Sequence, residues 1–216
     1  MEDESNQETA LCREVGSSID GRLLADFVKP TSGERLAELG SGCGEVLLQV
    51  ATSTPGVHID GLEIQKELVE IAKKRLKKIH VGQNVRVLVG DILAPPATMQ
   101  PESYDHVFTN PPYFKVGEGR LPPDKKRALA RFEQSGTLAD FIACGVRLLR
   151  SRGFFYLVHR PERKQEIFTE LNRAGLSPIR LLPVQNRINT PTVLLLFAAQ
   201  KGGKASLVEE PPLILN

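Results

Sequence analysis

The chain is poor in the residues that build metal and disulfide frameworks. Its three cysteines, Cys12, Cys43 and Cys144, lie far apart and form no C-x-x-C pair. That spacing gives no reason to expect a zinc site or a disulfide framework. The four histidines, His58, His80, His106 and His159, add no metal-ligand pattern. No apolar run approaches the length of about 20 residues that spans a bilayer. Nor is there a large excess of one charge: the formal net charge is only +2, so a polyanionic partner would have to be held by a local basic patch. The opening residues Met1 to Glu8 are acidic and polar, the opposite of a signal or transit peptide. Together these absences set the expectation of a reduced, cytoplasmic protein without metal.

What is present is an alternation. After a polar stretch, residues 1 to about 12, which reads as a disordered tail, Ile19 to Val28 is apolar at helical spacing. Short apolar segments then alternate with helical ones. Strands are expected at Arg35 to Leu39, Val57 to Glu63, Val85 to Val89, Tyr104 to Thr109 and Gly153 to Val158, with helices at Glu45 to Ala51, Ile64 to Ile79, Leu138 to Leu149 and Glu162 to Ala174. Two further strands, Ser177 to Val184 and Thr192 to Ala199, have no helix pattern between them and should pair as an antiparallel edge hairpin. The pattern predicts an α/β fold: a seven-stranded, mostly parallel sheet with helices on both faces, in one domain from residue 13 to 216. Lys73, Lys74, Lys77 and Lys78 read as the solvated face of the second sheet helix.

The glycine cluster Gly40-Ser41-Gly42-Cys43-Gly44 follows the first strand. In open α/β sheets that is where ligands bind, because glycine lets the backbone approach a ligand without an intervening Cβ. A dinucleotide-binding loop would carry its third glycine at position 45, where this chain has Glu45. A glutamate at the helix N-terminus also opposes a pyrophosphate there, which points to a cofactor without phosphate. Glu63 ends the second strand, where its carboxylate can accept hydrogen bonds from two ribose hydroxyls. Asp91 ends the third, where it can accept one from an adenine amino group. Taken singly, the loop is also compatible with a plain turn and each acid with a solvated strand end. This pattern resembles the class I S-adenosylmethionine-dependent methyltransferases, with Glu38 to Gly44 as their first motif. The resemblance implies a Rossmann-like fold and S-adenosyl-L-methionine as cofactor. It places the methionine moiety near Gly40 to Gly42, with Glu38, Ser41, Cys43 and Gly44 in the motif. It also implies ribose contacts at Glu63 and its neighbour Ile64, adenine contacts at Asp91 and Ile92, and a contribution from Asn110.

Asn110-Pro111-Pro112-Tyr113 follows the fourth strand directly and is the most specific signal in the chain. Two prolines stiffen the loop and remove two donors, and a residue before proline is held extended, which can turn its carbonyl outward. A planar exocyclic amino group is a poor nucleophile because its lone pair is delocalised. The Asn110 side-chain oxygen and the Pro111 carbonyl can each accept one of its N–H bonds and so aim the lone pair at an electrophilic methyl, a task of positioning rather than of base strength. Tyr113 could stack on an extruded base, a contact worth roughly 1–3 kcal/mol. The motif occurs in methyltransferases acting on adenine N6, cytosine N4, guanine N2 and glutamine side chains.

The long stretch from about 114 to 136 lacks clear periodicity and reads as a basic flap. Phe114, Lys115, Arg120, Lys125, Lys126, Arg127 and Arg131 are its candidate RNA contacts. The run Asn110 to Phe114, then Ala128 to Glu133, then His159 to Arg163, and the later Gln200 to Gly203 and Pro211 to Leu213, resemble the bacterial adenine-N6 methyltransferases of valine tRNA. The likeness runs from Ile19 onward and implies methylation of an adenine beside the anticodon. Other readings are amino methylation of ribosomal RNA or DNA, glutamine methylation of a peptide release factor, and a silent RNA- or cofactor-binding module. Release-factor enzymes carry a sizeable helical domain ahead of the glycine loop, against fewer than 40 residues here. A silent module would not require Asn110.

Overall fold

Buried hydrophobic side chains lie on both faces of one sheet, and that pattern accounts for the layering. The structure, a computed structural model, describes residues 12, 19–79, 84–118 and 132–215. In chain order the elements are α1 (Ile19–Phe27), β1 (Arg35–Leu39), α2 (Glu45–Ser53), β2 (His58–Glu63), α3 (Lys66–Ile79), β3 (Val85–Val89), β4 (Tyr104–Thr109), α4 (Leu138–Leu148), β5 (Leu149–His159), α5 (Lys164–Arg173), β6 (Leu176–Gln185), β7 (Thr192–Lys201), β8 (Val208–Glu209) and β9 (Leu213–Ile214). All six residues of β4 and four of the five in β1 are buried. Both strands carry polar residues as well, and Glu38, Asp105, His106 and Thr109 are buried with the apolar ones. Leu36, Ile59, Val87 and Phe108 pack with α1, α2 and α3 on one face. Ala37, Leu62, Val107 and Leu157 pack with α4 and α5 on the other. Lys73, Lys74, Lys77 and Lys78 lie on the exposed side of α3.

The strand order is β3-β2-β1-β4-β5-β7-β6-β8, with β9 also beside β6. β1 pairs in parallel with both β2 and β4, so the chain winds outward to β3 and then returns to the other side of β1. The carboxyl ends of β1 and β4 therefore flank the switch point at which such sheets bind ligands. β7 runs antiparallel between β5 and β6, which gives the expected hairpin. Among the described residues the sheet has nine strands rather than seven. The additional β8 and β9 are two-residue pairings on the outer edge of β6, too short to show any periodicity and interrupted by Pro211 and Pro212.

Two helix starts are built differently. α4 opens on a capping box in which Thr137 Oγ1 accepts from the Asp140 amide and Asp140 Oδ2 accepts from the Thr137 amide. α2 follows Gly44 and has no local side-chain cap. Its third-residue amide, Leu47 N–H, instead donates to Glu38 Oε2 at 3.1 Å. A second departure concerns the cysteines: Cys12 is disulfide-bonded to Cys43, with Cα atoms 5.8 Å apart, against Leu68 and Ile71. A separation of 31 residues along the chain was a poor guide, because the folded chain places Cys12 against the glycine loop. Cys144 is free and buried. Of the expected tail, residues 1 to about 12, only Cys12 lies within the described residues, where it is buried in the disulfide; residues 1–11, and 119–131 of the flap, lie outside them.

Candidate active site

The carboxyl ends of four adjacent strands open onto one cleft. Its walls include Gly40 and Gly42 after β1, Glu63 to Gln65 at the end of β2, Gly90 to Ile92 after β3, and Asn110 and Pro112 after β4. Ser135 and Phe141 close it from the side of α4. The glycine loop is held by the neighbouring strand. The amides of Gly40 and Ser41 both donate to the Leu62 carbonyl, at 2.8 and 3.0 Å. Gly42 N–H donates to Glu63 Oε2 at 2.8 Å, and Gln65 N–H to Glu63 Oε1 at 2.9 Å. One buried carboxylate therefore sets the loop after β1 and the chain after β2 together.

Glycine is required at specific points. Gly42 sits at φ 52°, which L side chains rarely adopt, and a Cβ there would meet nothing within 4 Å, so that side faces open space. At Gly90 a Cβ would come within 2.7 Å of Leu62 Cδ1 and 2.8 Å of Pro96 Cδ, so only glycine lets the chain pass so close to β2. Burial raises the Glu63 carboxyl above its ordinary range against the pull of the Gln65 and Gly42 amides. Glu38 is pushed well up, first by complete burial and then by the charges of Glu63 and Glu45. Asp91 Oδ1 accepts from the Leu93 amide at 2.9 Å, which shapes the turn after β3.

The sequence-derived candidates divide into two groups. Gly40, Gly42, Glu63, Ile64, Asp91, Ile92, Asn110 and Pro112 line the cleft. Glu38, Ser41, Cys43 and Gly44 stand behind it: Glu38 caps α2, Cys43 is in the disulfide and Gly44 begins the helix. Ser41 is buried beside Gly61, and its hydroxyl has no hydrogen-bond partner among the described residues. Pro111 is buried. Tyr113 is anchored at both ends, its hydroxyl donating to Asp20 Oδ2 at 2.7 Å and its ring 4.9 Å from that of His159. The Phe114 ring lies 5.4 Å from Phe132, which joins the two ends of the flap segment, and Lys115 pairs with Glu166 at 3.0 Å. Arg120, Lys125, Lys126, Arg127 and Arg131 lie outside the described residues. Sequence reasoning missed Leu62, Gln65, Gly90, Ser135 and Phe141 in the cleft. Phe141 packs beneath the loop, where a Cβ on Gly40 would sit 3.5 Å from its ring, and no local motif marks such a residue.

The cleft suits a cofactor with a diol and no phosphate. No lysine or arginine is among its lining residues, and two carboxylates are. Each Glu63 oxygen takes one backbone N–H and retains a second lone pair for a hydroxyl. A pyrophosphate would find no cation there and a glutamate, Glu45, at the helix start. The Asn110 side chain makes no hydrogen bond to any described residue, so its amide is available to a bound group. Among the described residues no cluster of His, Cys, Asp or Glu is placed to hold a metal, and no helix is long and apolar enough to cross a membrane.

Comparison with known proteins agrees with this geometry. A protein of Escherichia coli O1:K1, named tRNA1(Val) (adenine(37)-N6)-methyltransferase, is 28% identical over 187 residues, which is 85% of this chain and 75% of that protein. A protein of the same name from Tolumonas auensis is 28% identical over 184 residues, 84% of this chain and 75% of its own. Among solved structures, a predicted O-methyltransferase from Agrobacterium tumefaciens superposes with a TM-score of 0.74 at 24% identity, covering 91% of this chain and 87% of that one. An S-adenosylmethionine-dependent methyltransferase from Aquifex aeolicus gives 0.64 at 14% identity, over 91% and 97%. The model of the methyltransferase domain family matches residues 30–172, a span holding every residue named above as lining the cleft. The chain therefore belongs to the methyltransferase domain family and is an S-adenosylmethionine-dependent enzyme.

Proposed function

We propose that this enzyme methylates N6 of an adenine in tRNA, beside the anticodon, in the cytoplasm. The observation that carries the reading is Asn110, held at the end of β4 in the cleft with an uncommitted side-chain amide and followed by two prolines. The curated relatives named above add the substrate. S-adenosylmethionine supplies an electrophilic methyl group on a sulfonium. Asn110 Oδ1 and the Pro111 carbonyl accept the two N–H bonds of the adenine amino group and turn its lone pair toward that methyl. Transfer would exchange the C–S bond for an N–C bond, leave S-adenosylhomocysteine, and release one proton from the nitrogen to water. Glu63 would hold the cofactor ribose, Asp91 and Ile92 its adenine, and the chain from Gly40 to Gly42 its methionine end. Phe114 and Lys115, with the basic residues of the flap, face the RNA.

The test is transfer of label from S-adenosylmethionine to unmodified bulk tRNA, with the product nucleosides identified by mass spectrometry. N6-methyladenosine is the expected product. Label in ribosomal RNA, DNA or a release factor, with none in tRNA, would replace the substrate and keep the chemistry.

A further inference from the structure

Three cations stand close together in sequence or space beside the Asn110 loop, and two of them are committed. Arg163 is buried and bonded to Glu133 and Glu166. Lys115 is paired with Glu166. Arg160 differs. It follows β5 directly, is exposed, and has no ion pair among the described residues. Its guanidinium carbon lies 4.6 Å from the Phe114 ring centroid and 5.7 Å from that of Tyr113. Those aromatic residues are the last of the Asn110 loop and the first of the flap. The two contacts fix the charge beside the cleft without consuming its N–H donors. Tyr113 is meanwhile tied by Asp20 and His159, so the platform under Arg160 is itself held from two directions.

A pre-positioned guanidinium with free donors matches one ligand chemistry above others, a phosphate oxygen pair, which accepts two parallel N–H bonds. We infer that Arg160 is a phosphate-contact residue that grips the backbone of the nucleic-acid strand carrying the target base. This rests on the nucleic-acid reading above. It assigns the residue to substrate binding rather than to the cofactor, since Arg160 is not part of the cleft wall.

The experiment is equilibrium binding of an unmodified tRNA transcript across a range of salt, with S-adenosylhomocysteine present, for wild type, Arg160→Lys and Arg160→Met. Methionine keeps an apolar stem over the rings and removes the charge. It should weaken binding about tenfold at low salt and lower the slope of log affinity against log salt by about one. Lysine should keep most of the slope and lose part of the affinity. Calorimetric affinity for S-adenosylhomocysteine and the melting temperature should stay at wild-type values in both variants. Wild-type affinity and slope in Arg160→Met would overturn the proposal. The same series run on a ribosomal RNA fragment and a single-stranded DNA separates it from the choice of tRNA: the slope loss on a polymer other than tRNA upholds Arg160 while the tRNA reading fails. A wild-type protein that binds none of the three and methylates a peptide amide would end both.

Discussion

The two halves of the cleft are built by different means. On the side of β1, β2 and β3 the ligand surface is mostly backbone and glycine, set by a buried acid. Glu63 holds the Gly42 and Gln65 amides, and Glu38 caps α2 from behind. On the side of β4 and β5 the surface is side chains fixed by other side chains, with Asp20 on Tyr113, His159 against Tyr113, and Arg160 over Phe114. The first arrangement fits a ligand that is always the same molecule. The second places an amide, aromatic rings and a cation at an opening, as recognition of a large polar substrate requires. If the division is real, damage on one side should leave the other side's ligand nearly untouched.

The largest expected effect tests that separation. Asn110→Ala should lower the rate of methyl transfer roughly 100- to 1,000-fold, the scale seen when one preorganised polar contact to a reacting group is removed. Its affinity for S-adenosylhomocysteine by calorimetry should stay within a few-fold. A variant that transfers methyl at the wild-type rate would remove Asn110 from the reaction. Glu63→Ala is the mirror case. It strands two backbone amides and removes a charged acceptor, and cofactor affinity should fall roughly 10- to 100-fold at 1.5–3 kcal/mol for such a bond. Affinity for the nucleic acid without cofactor should not change. Equal losses on both ligands would mean that the cleft is one cooperative unit.

The same division explains what the sequence made legible. Strands β1, β3 and β4 have the expected bounds, because their short, mainly apolar segments are set off by polar and glycine-rich stretches. The glycine loop, Glu63 and Asp91 follow from position alone, each lying at or just beyond the end of a strand. Contacts across the chain left no such trace. Tyr113 and Asp20 are 93 residues apart, Thr109 Oγ1 donates to the Leu39 carbonyl 70 residues away, and Phe141 reaches Gly40 from the far side of the flap. Cys12 and Cys43 belong with these. Their spacing argued against a bond, while the folded chain brings them together against Leu68 and Ile71 of α3. Glu38 is instructive in another way. It looked like part of a cofactor motif, but an acid nine residues before the amide it caps serves the helix start that Gly44 leaves without a side chain.

The smallest predicted effect sets the two halves against each other through pH. His159 is fully buried at the end of β5, and its Nδ1 accepts the Arg160 amide at 2.8 Å, which assigns the proton of the neutral ring to Nε2. Burial first, and the Arg163 charge second, hold its pKa down to about 4. In the unfolded chain a histidine titrates near 6.5, so between those values the unfolded state binds the extra proton. The contribution of His159 to stability is therefore complete above pH 6.5 and is lost as pH falls toward 4. At pH 5.5 the loss is about 1 kcal/mol, at 1.36 kcal/mol per unit. The buried carboxyls of the other half act in the opposite sense: Glu38 and Glu63 have raised values, so their contribution is present at low pH and is lost as pH rises through them. Those two acids are common to wild type and His159→Gln, so the difference between the proteins isolates the histidine. Denaturant unfolding at pH 7.5 and 5.5 should show the glutamine variant losing about 1 kcal/mol less than wild type on acidification. An identical loss in both would mean that His159 takes up its second proton in the folded state over the same pH range as in the unfolded chain. The hydrogen bond from Arg160 could not then be made, and the anchoring of the side-chain half of the cleft would have to be redrawn.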